Sequence, residues 1–381
     1  MPPTDSRLTE LTTPCLILDE RIMLRNIDRL ARHAADLGVT LRPHLKTGKS
    51  VDIARRVLSG GTGPATVSTL AEAEVFHEAG ISDILYAVGI APQKLDRVVA
   101  LRRAGCDLSV ILDSRAQAEA VADAARAAAD PIPVLIEIDS DGHRGGLRPD
   151  DPELAAIGTI LRDGGAALRG VMTHAGESYG AVGADAQAAF AEQERKAVAD
   201  AADTLRGAGL DCPVVSVGST PTAHAARDLT GVTELRAGVY VFFDLVMAGI
   251  GVCTTDDIAL SVLTTVIGHQ PERGWIMVDA GWMAMSRDRG TANQASDQGY
   301  GVVCDENGTV LPDLIVANAN QEHGTIALRA CADRPLPDLP VGTRLRILPN
   351  HACATAAQHD RYNVLRVESG ALEEWPRFGG W

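Results

Sequence analysis

Apolar positions in this chain follow two alternating rhythms up to about position 240 and a single rhythm after about position 256. In the first stretch, short β-type runs alternate with Ala- and charge-rich stretches of helical period. The β-type runs are VTLRPH (39–44), ATVST (65–69), DILYAV (83–88), LSVILD (108–113), IPVLIEID (132–139), LRGVMTH (168–174), PVVSVG (213–218) and VTELRAG (232–238). Between them lie segments such as 114–130 and 186–209, with apolar residues spaced for one helix face. Eight strand–helix units in about two hundred residues predict an α/β fold, a (β/α)8 TIM-type barrel. A doubly wound open sheet has the same alternation, and periodicity alone does not separate the two.

After about Asp256 the helical period fades. ALSVLTTVIGH, GWIMVDAG, YGVVCD, DLIVANAN, TIALRA, TRLRILPN and YNVLRV read as strands separated by Gly, Pro, Asn and Asp turns. They predict a C-terminal all-β domain. The run TPCLILD (13–19) precedes the first barrel helix and is assigned to the same domain. The expected division is therefore a barrel over 20–252 and a β-domain built from 1–19 and 253–381.

Composition narrows the function classes. The 381 residues carry 35 basic and 50 acidic side chains, a net charge of −15, which disfavours nucleic acid or an anionic membrane as partner. Seven scattered cysteines with no CxxC pair point to free thiols in a reducing compartment. The first ten residues lack an apolar signal core, and the longest apolar stretch, 239–253, is interrupted by Asp244 and too short to span a bilayer. These features predict a cytoplasmic protein.

In a (β/α)8 barrel, chemistry sits at the C-terminal ends of the strands. Those ends carry His44 to Lys49, Asp139 to Arg144, His174 to Tyr179, Gly218 to Thr220 and Arg236 to Tyr240. The opposite ends are expected to be poor in such residues. Gly218, Ser219 and Thr220, with Gly238, Val239 and Tyr240, stand on the last two loops, where barrels commonly hold a phosphate among small residues and hydroxyls. The plainer reading makes these glycines simple turn residues. Lys46 ends a strand near His44 and Arg42, cations that lower an amine's pKa and favour covalent chemistry with a carbonyl, although most lysines are only ion-pair partners.

In the β-domain, Pro349-Asn350-His351-Ala352-Cys353 follows a strand. Positions i and i+2 of an extended segment face one side, so His351 and Cys353 are candidate ligands of a divalent metal. A thiolate favours zinc, with magnesium or manganese as alternatives. Alone, an HxC pair is a weak signal, since a buried thiol beside a surface histidine has the same spacing.

With RPHLKTGKS, DGHRGG, THAGESYG, VGSTPT, LRAGVYVFFD, VDAG, QEHG and PNHACAT following TPCLILD in order, the chain resembles the D-threonine aldolase and D-serine dehydratase family across essentially its whole length. These are pyridoxal-phosphate enzymes with an alanine-racemase-like barrel and a C-terminal β-domain. The resemblance implies that Lys46 is the Schiff-base lysine and that Gly218 to Thr220 and Gly238 to Tyr240 cradle the phosphate. It implies that Arg144 faces the pyridine nitrogen, that His174 and Tyr179 line the cofactor, and that His351 and Cys353 bind the metal. His-Ala-Cys and Gly-Ser-Thr-Pro are more similar to the dehydratases of D-serine and D-3-hydroxyaspartate than to the aldolases. Gly48, between the two lysines, departs from many relatives.

The implied activity is a pyridoxal 5'-phosphate- and metal-dependent lyase that removes water from a β-hydroxy-D-amino acid, giving a 2-oxo acid and ammonia. The rival reading is retro-aldol cleavage of the same substrates to glycine and an aldehyde. A non-catalytic cofactor-binding barrel protein is a third, and it leaves the extra domain and the HxC pair without a purpose. A plain racemase likewise leaves the metal pair idle. The resemblance also implies a homodimer.

Overall fold

The computed structural model describes residues 8–381; the positions 1–7 that the sequence assigns to the β-domain lie outside the described residues. The chain forms two compact units. One comprises 28–238 with 379–381, and the other comprises 239–378 with the described residues up to Ile27.

The strands are β1 (Cys15–Asp19), β2 (Thr40–Leu41), β3 (Ala65–Val67), β4 (Asp83–Gly89), β5 (Asp107–Leu112), β6 (Pro133–Ile138), β7 (Ala167–Thr173), β8 (Val214–Val217), β9 (Glu234–Leu235), β10 (Leu260–Gln270), β11 (Trp275–Val278), β12 (Gly301–Asp305), β13 (Val310–Ala319), β14 (Gly324–Leu328), β15 (Arg344–Pro349), β16 (Arg361–Leu365) and β17 (Leu372–Pro376). The helices are α1 (Glu20–Asp36), α2 (Val51–Val57), α3 (Leu70–Glu78), α4 (Leu95–Arg103), α5 (Arg115–Ala128), α6 (Glu153–Asp163), α7 (Ala184–Gly207), α8 (Thr220–Ala225), α9 (Leu245–Gly249), α10 (Trp282–Met285) and α11 (Ala352–Ala356). No described helix is long and apolar enough to cross a membrane.

In the first unit, β2 to β9 are parallel and ordered β2-β9-β8-β7-β6-β5-β4-β3. The seam closes where Leu45 N–H donates to the Thr66 carbonyl and Thr66 N–H to the Pro43 carbonyl, both at 2.9 Å, with His44 opposite Thr66. Each of the eight β-type runs contains one barrel strand, so the sheet is the expected TIM-type barrel. Strand β6 is buried at every position, as a parallel strand covered on both faces must be. Leu85, Ile111, Leu135 and Met172, from four successive strands, pack into one cluster.

The opposite ends of the strands differ from expectation. Arg42 pairs with Asp83 and Glu234, both at 2.7 Å, and Asp83 and Glu234 open β4 and β9. Arg42 therefore belongs to a charged network at the N-terminal ends and is not a neighbour of the Lys46 amine. Arg42 and His44 share a side of the extended segment, but two residues advance about 6–7 Å along it, so each meets a different layer of partners.

In the second unit, β10, β11, β14, β13, β12 and β15 pair in a ring, closed by β10 against β11, and all those pairs are antiparallel. Strand β1 pairs antiparallel with β10 and parallel with β16, and β17 completes the sheet. Closure removes the free edges that an antiparallel sheet otherwise exposes. Leu8, Ile17, Leu263 and Leu365 form a core cluster that ties TPCLILD into this sheet.

Candidate active site

The C-terminal mouth of the barrel gathers most of the residues singled out from the sequence. Lys46 is exposed just beyond the seam, and its backbone N–H donates to His44 Nδ1 at 3.4 Å. His44 Nε2 lies 3.3 Å from Ser68 Oγ. Burial holds the His44 pKa well below its usual value, and the charges of Lys46, Arg236 and Arg144 act in the same direction. His174 Nδ1 bonds the Gly218 carbonyl at 2.8 Å, so that nitrogen carries the proton. Burial and Arg144 bring its pKa down to about 3, leaving a neutral ring. The Tyr179 ring stands 6.1 Å from His174, centroid to centroid, tilted by 47°. Arg144 lies 3.7 Å from Glu137, whose own pKa burial raises.

The loop after β8 is built differently from a simple cradle of free amides. Gly218 N–H is already spent on Glu194 Oε1, at 2.9 Å. Gly218 is needed for another reason: at φ +150°, a Cβ there would lie 1.8 Å from the Arg236 carbonyl oxygen. Ser219 N-caps α8 and shares its hydroxyl with Ser178 at 2.8 Å and with Thr222 at 2.9 Å. The Thr220 hydroxyl is buried without a hydrogen-bond partner among the described residues. A Cβ on Gly238 would approach Thr47 Oγ1 to 3.1 Å and the His44 side chain to 3.2 Å, so small size is required beside the Lys46 loop. Val239 and Tyr240, both buried, begin the second unit.

An orphaned buried hydroxyl and the positive field of Lys46, Arg144 and Arg236 meet the needs of a phosphorylated cofactor. Arg236 is fully buried, its guanidinium bonding Ser216 Oγ at 2.9 Å and the Thr173 carbonyl. The residues present therefore fit pyridoxal phosphate.

Two functional candidates escaped the sequence reading at this mouth. One is Arg236, noticed only as a strand end. The other is Glu194 of α7, which falls on the buried stripe formed by Gln187, Ala191, Ala197, Val198, Ala201 and Leu205. A glutamate on an apolar helix stripe is a legible signal.

In the second unit, His351 ends the turn after β15 and N-caps α11. Cys353 is thus on a helix, not an extended segment, and the i, i+2 strand argument does not apply. The Cys353 thiol and the His351 ring are nonetheless in hydrogen-bonding contact. His351 Nδ1 bonds Asp288 Oδ2 at 2.7 Å, and Asp244, buried, accepts the Ala352 N–H at 2.9 Å. Burial alone would pull the His351 pKa down, but Asp288, Cys353 and Asp244 push it up to about 11. A protonated ring is the cation this anionic set draws in, and imidazole plus thiol is a donor pair suited to a divalent metal. Among the described residues no three or more His, Cys, Asp or Glu side chains are arranged as a complete metal cage. The Asp288 carboxylate fixes the orientation of the His351 ring, as a carboxylate behind a metal-binding histidine would. Sequence distance hid it: Asp288 and His351 are 63 residues apart.

Sequence profiles agree with this division of parts. The profile described as alanine racemase, N-terminal domain, matches 18–246, and a serine dehydratase domain profile matches 259–365. The chain is 55 % identical over 380 residues to D-threo-3-hydroxyaspartate dehydratase of Delftia sp. (strain HT23), covering 99 % of this chain and 100 % of that one. Among solved structures it is similar to a D-threo-3-hydroxyaspartate dehydratase C353A mutant in the metal-free form, with TM-score 0.95, 54 % identity and 100 % of both chains covered. D-threonine aldolase from Filomicrobium marinum is more distant, with TM-score 0.81, 29 % identity and 96 % and 95 % of the two chains covered.

Fold and site together define a pyridoxal-phosphate enzyme of the alanine-racemase type, and a lyase. The chain belongs to the D-serine dehydratase and D-threonine aldolase family, on its dehydratase side, acting on β-hydroxy-D-amino acids.

Proposed function

We propose that the chain converts D-threo-3-hydroxyaspartate to oxaloacetate and ammonia, as a cytoplasmic homodimer that uses zinc at His351 and Cys353. The observation that carries the dehydratase reading to these residues is the His351–Cys353 contact braced by Asp288. The metal-free state of a C353A relative supports the same assignment. The 55 % identity over the full length supports the substrate.

Pyridoxal phosphate, when bound, supplies the aldehyde that Lys46 condenses with and an electron-withdrawing ring that acidifies the substrate Cα–H. Ser219 and Thr220 would hold its phosphate, with Gly238 leaving room beside Thr47 and His44. Arg144 would offer the ring nitrogen a permanent donor, since a guanidinium does not deprotonate. His174, neutral and with its Nδ1–H committed to Gly218, gives the site a fixed wall and no mobile proton. The Lys46 amine would take the substrate Cα proton on Nζ. A divalent metal, when bound, supplies a Lewis acid for the departing β-hydroxyl. His351 and Cys353 would hold it, with Asp288 keeping the His351 ring in one orientation. Water lost at Cβ is regained when the imine carbon is hydrolysed, so the net products are oxaloacetate and ammonia.

Incubation with D-threo-3-hydroxyaspartate, D-serine and D-threonine tests this. Ammonia with oxaloacetate from the first substrate is the expected result. Glycine with glyoxylate in place of ammonia would establish cleavage instead.

A further inference from the structure

We infer that Arg287 determines specificity, its guanidinium receiving the second carboxylate of a dicarboxylic β-hydroxy-D-amino acid. The inference rests on the substrate reading above and deepens it.

The segment 286–290 leaves α10 carrying Asp288, the residue that grips His351. Two arginines flank Asp288, and they are in different states. Arg289 is committed, 2.7 Å from Asp297 and stacked over the Tyr300 ring at 4.9 Å. Arg287 is exposed, lies 5.0 Å from the centroid of the Trp282 ring, and has no carboxylate within ion-pair distance among the described residues. A guanidinium stacked on an aromatic face keeps its N–H edge free, and that edge matches a carboxylate in two parallel hydrogen bonds. Stacking thus holds the group in place without neutralising it.

The backbone supplies an independent sign. Ser286 is buried at φ 78°, ψ 159°, a region that belongs almost entirely to glycine and is strained for any other residue. Its hydroxyl accepts the Asp288 N–H at 3.0 Å, which locks the turn. Arg287 and Asp288 therefore leave a fixed backbone, one toward Trp282 and the other toward His351. Strain of this kind persists where the surrounding structure requires a particular presentation of side chains.

The substrate's chemistry matches this presentation. In 3-hydroxyaspartate the carbon bearing the hydroxyl also bears a carboxylate, whereas in D-serine it bears hydrogen. A residue that tells the two apart must lie within a side-chain length of the place where the hydroxyl is held. Arg287 is the next residue to the one that orients His351. The α-carboxylate, common to all these substrates, cannot discriminate.

The test compares kcat/KM for D-threo-3-hydroxyaspartate and for D-serine in the wild type, Arg287→Met and Arg287→Lys. Loss of a charge-assisted pair predicts that the ratio of the two falls by about 10- to 100-fold in Arg287→Met, with a smaller fall in Arg287→Lys. D-Aspartate and D-alanine, titrated against the visible absorbance of the bound cofactor, give the same ratio without turnover, with D-aspartate losing affinity selectively. Should Arg287→Met fail to hold its cofactor, Arg287→Gln is read the same way. An unchanged ratio, or an equal loss for both substrates, overturns the assignment. A wild type that releases no ammonia from hydroxyaspartate refutes the substrate reading instead, and the D-aspartate to D-alanine ratio still decides the role of Arg287.

Discussion

The Glu194 carboxylate accepts the Gly218 backbone N–H at 2.9 Å, and the same oxygen takes the Ala175 N–H at 3.1 Å. Its other oxygen accepts the Thr222 hydroxyl at 2.7 Å. One buried side chain of α7 thus ties together the loops after β7 and β8 and the first turn of α8. Burial pushes its pKa up, while these hydrogen bonds and the Arg236 charge oppose that shift.

Glu194→Ala leaves two N–H groups and a hydroxyl without their acceptor inside the protein. Unsatisfied buried donors cost about 1–3 kcal/mol each, so denaturant unfolding should show a loss of about 2 kcal/mol or more. Cofactor affinity should fall at least about tenfold. Glu194→Gln, which keeps one acceptor oxygen, should fall between. Wild-type cofactor affinity in Glu194→Ala would separate this carboxylate from the phosphate loop.

At Gly218 even alanine is excluded, because its Cβ would meet the Arg236 carbonyl oxygen at 1.8 Å. Backbone cannot yield as a flexible side chain does. Gly218→Ala should lose about 3 kcal/mol or more of stability, or fail to fold, in urea titrations. A stable Gly218→Ala protein would show that the two strand ends are farther apart than this.

The proposed function assigns the covalent link to Lys46. The purified enzyme should absorb in the visible, borohydride should fix the cofactor to the peptide containing Lys46, and Lys46→Ala should lose both the band and turnover. Retention of both in Lys46→Ala moves the link to another amine, and Lys49, paired with Glu72 at 3.0 Å, is the nearest in sequence.

Chelation should abolish turnover while the visible spectrum stays, with activity returning on addition of zinc, manganese or magnesium. Cys353→Ala should lose most of its metal, as removal of one of two protein ligands requires. Normal metal content and rate in Cys353→Ala would dismiss this site.

In the cofactor-free protein the buried histidines His174 and His44 should contribute a loss of stability as pH falls, opposed by the buried Glu194 and Glu137, whose pKa burial raises. His174 titrates near its ordinary value of 6.5 when unfolded and at about 3 when folded, and burial lowers His44 in the same direction. Between those values the unfolded chain binds protons that the folded chain refuses, so the histidine contribution to stability rises with pH across this window and declines on acidification from about 6.5 toward 3. His174→Gln should flatten part of that slope in denaturant titrations at pH 7, 6 and 5. An unchanged slope would place the ring in contact with water.

The sequence by itself determined the eight βα units, the later all-β unit and the order of the strand-end motifs. Those features are written in local periodicity, and burial of one strand face or one helix stripe enforces them wherever the chain folds. It also singled out Lys46 and the His351–Cys353 pair as candidates, because reactive side chains next to turn residues stand out locally. Only the tertiary structure decided which partners these residues have. Arg42 went to the far end of the barrel because Asp83 and Glu234 wait there. Gly218 proved necessary for its close approach to Arg236, and its amide was claimed by Glu194. Asp288 reached His351 across 63 residues, and Cys353 joined it from a helix where a strand was expected. Hydrogen bonds and charge pairs depend on distance in space, and residues remote in sequence become neighbours only when the chain has closed its sheets.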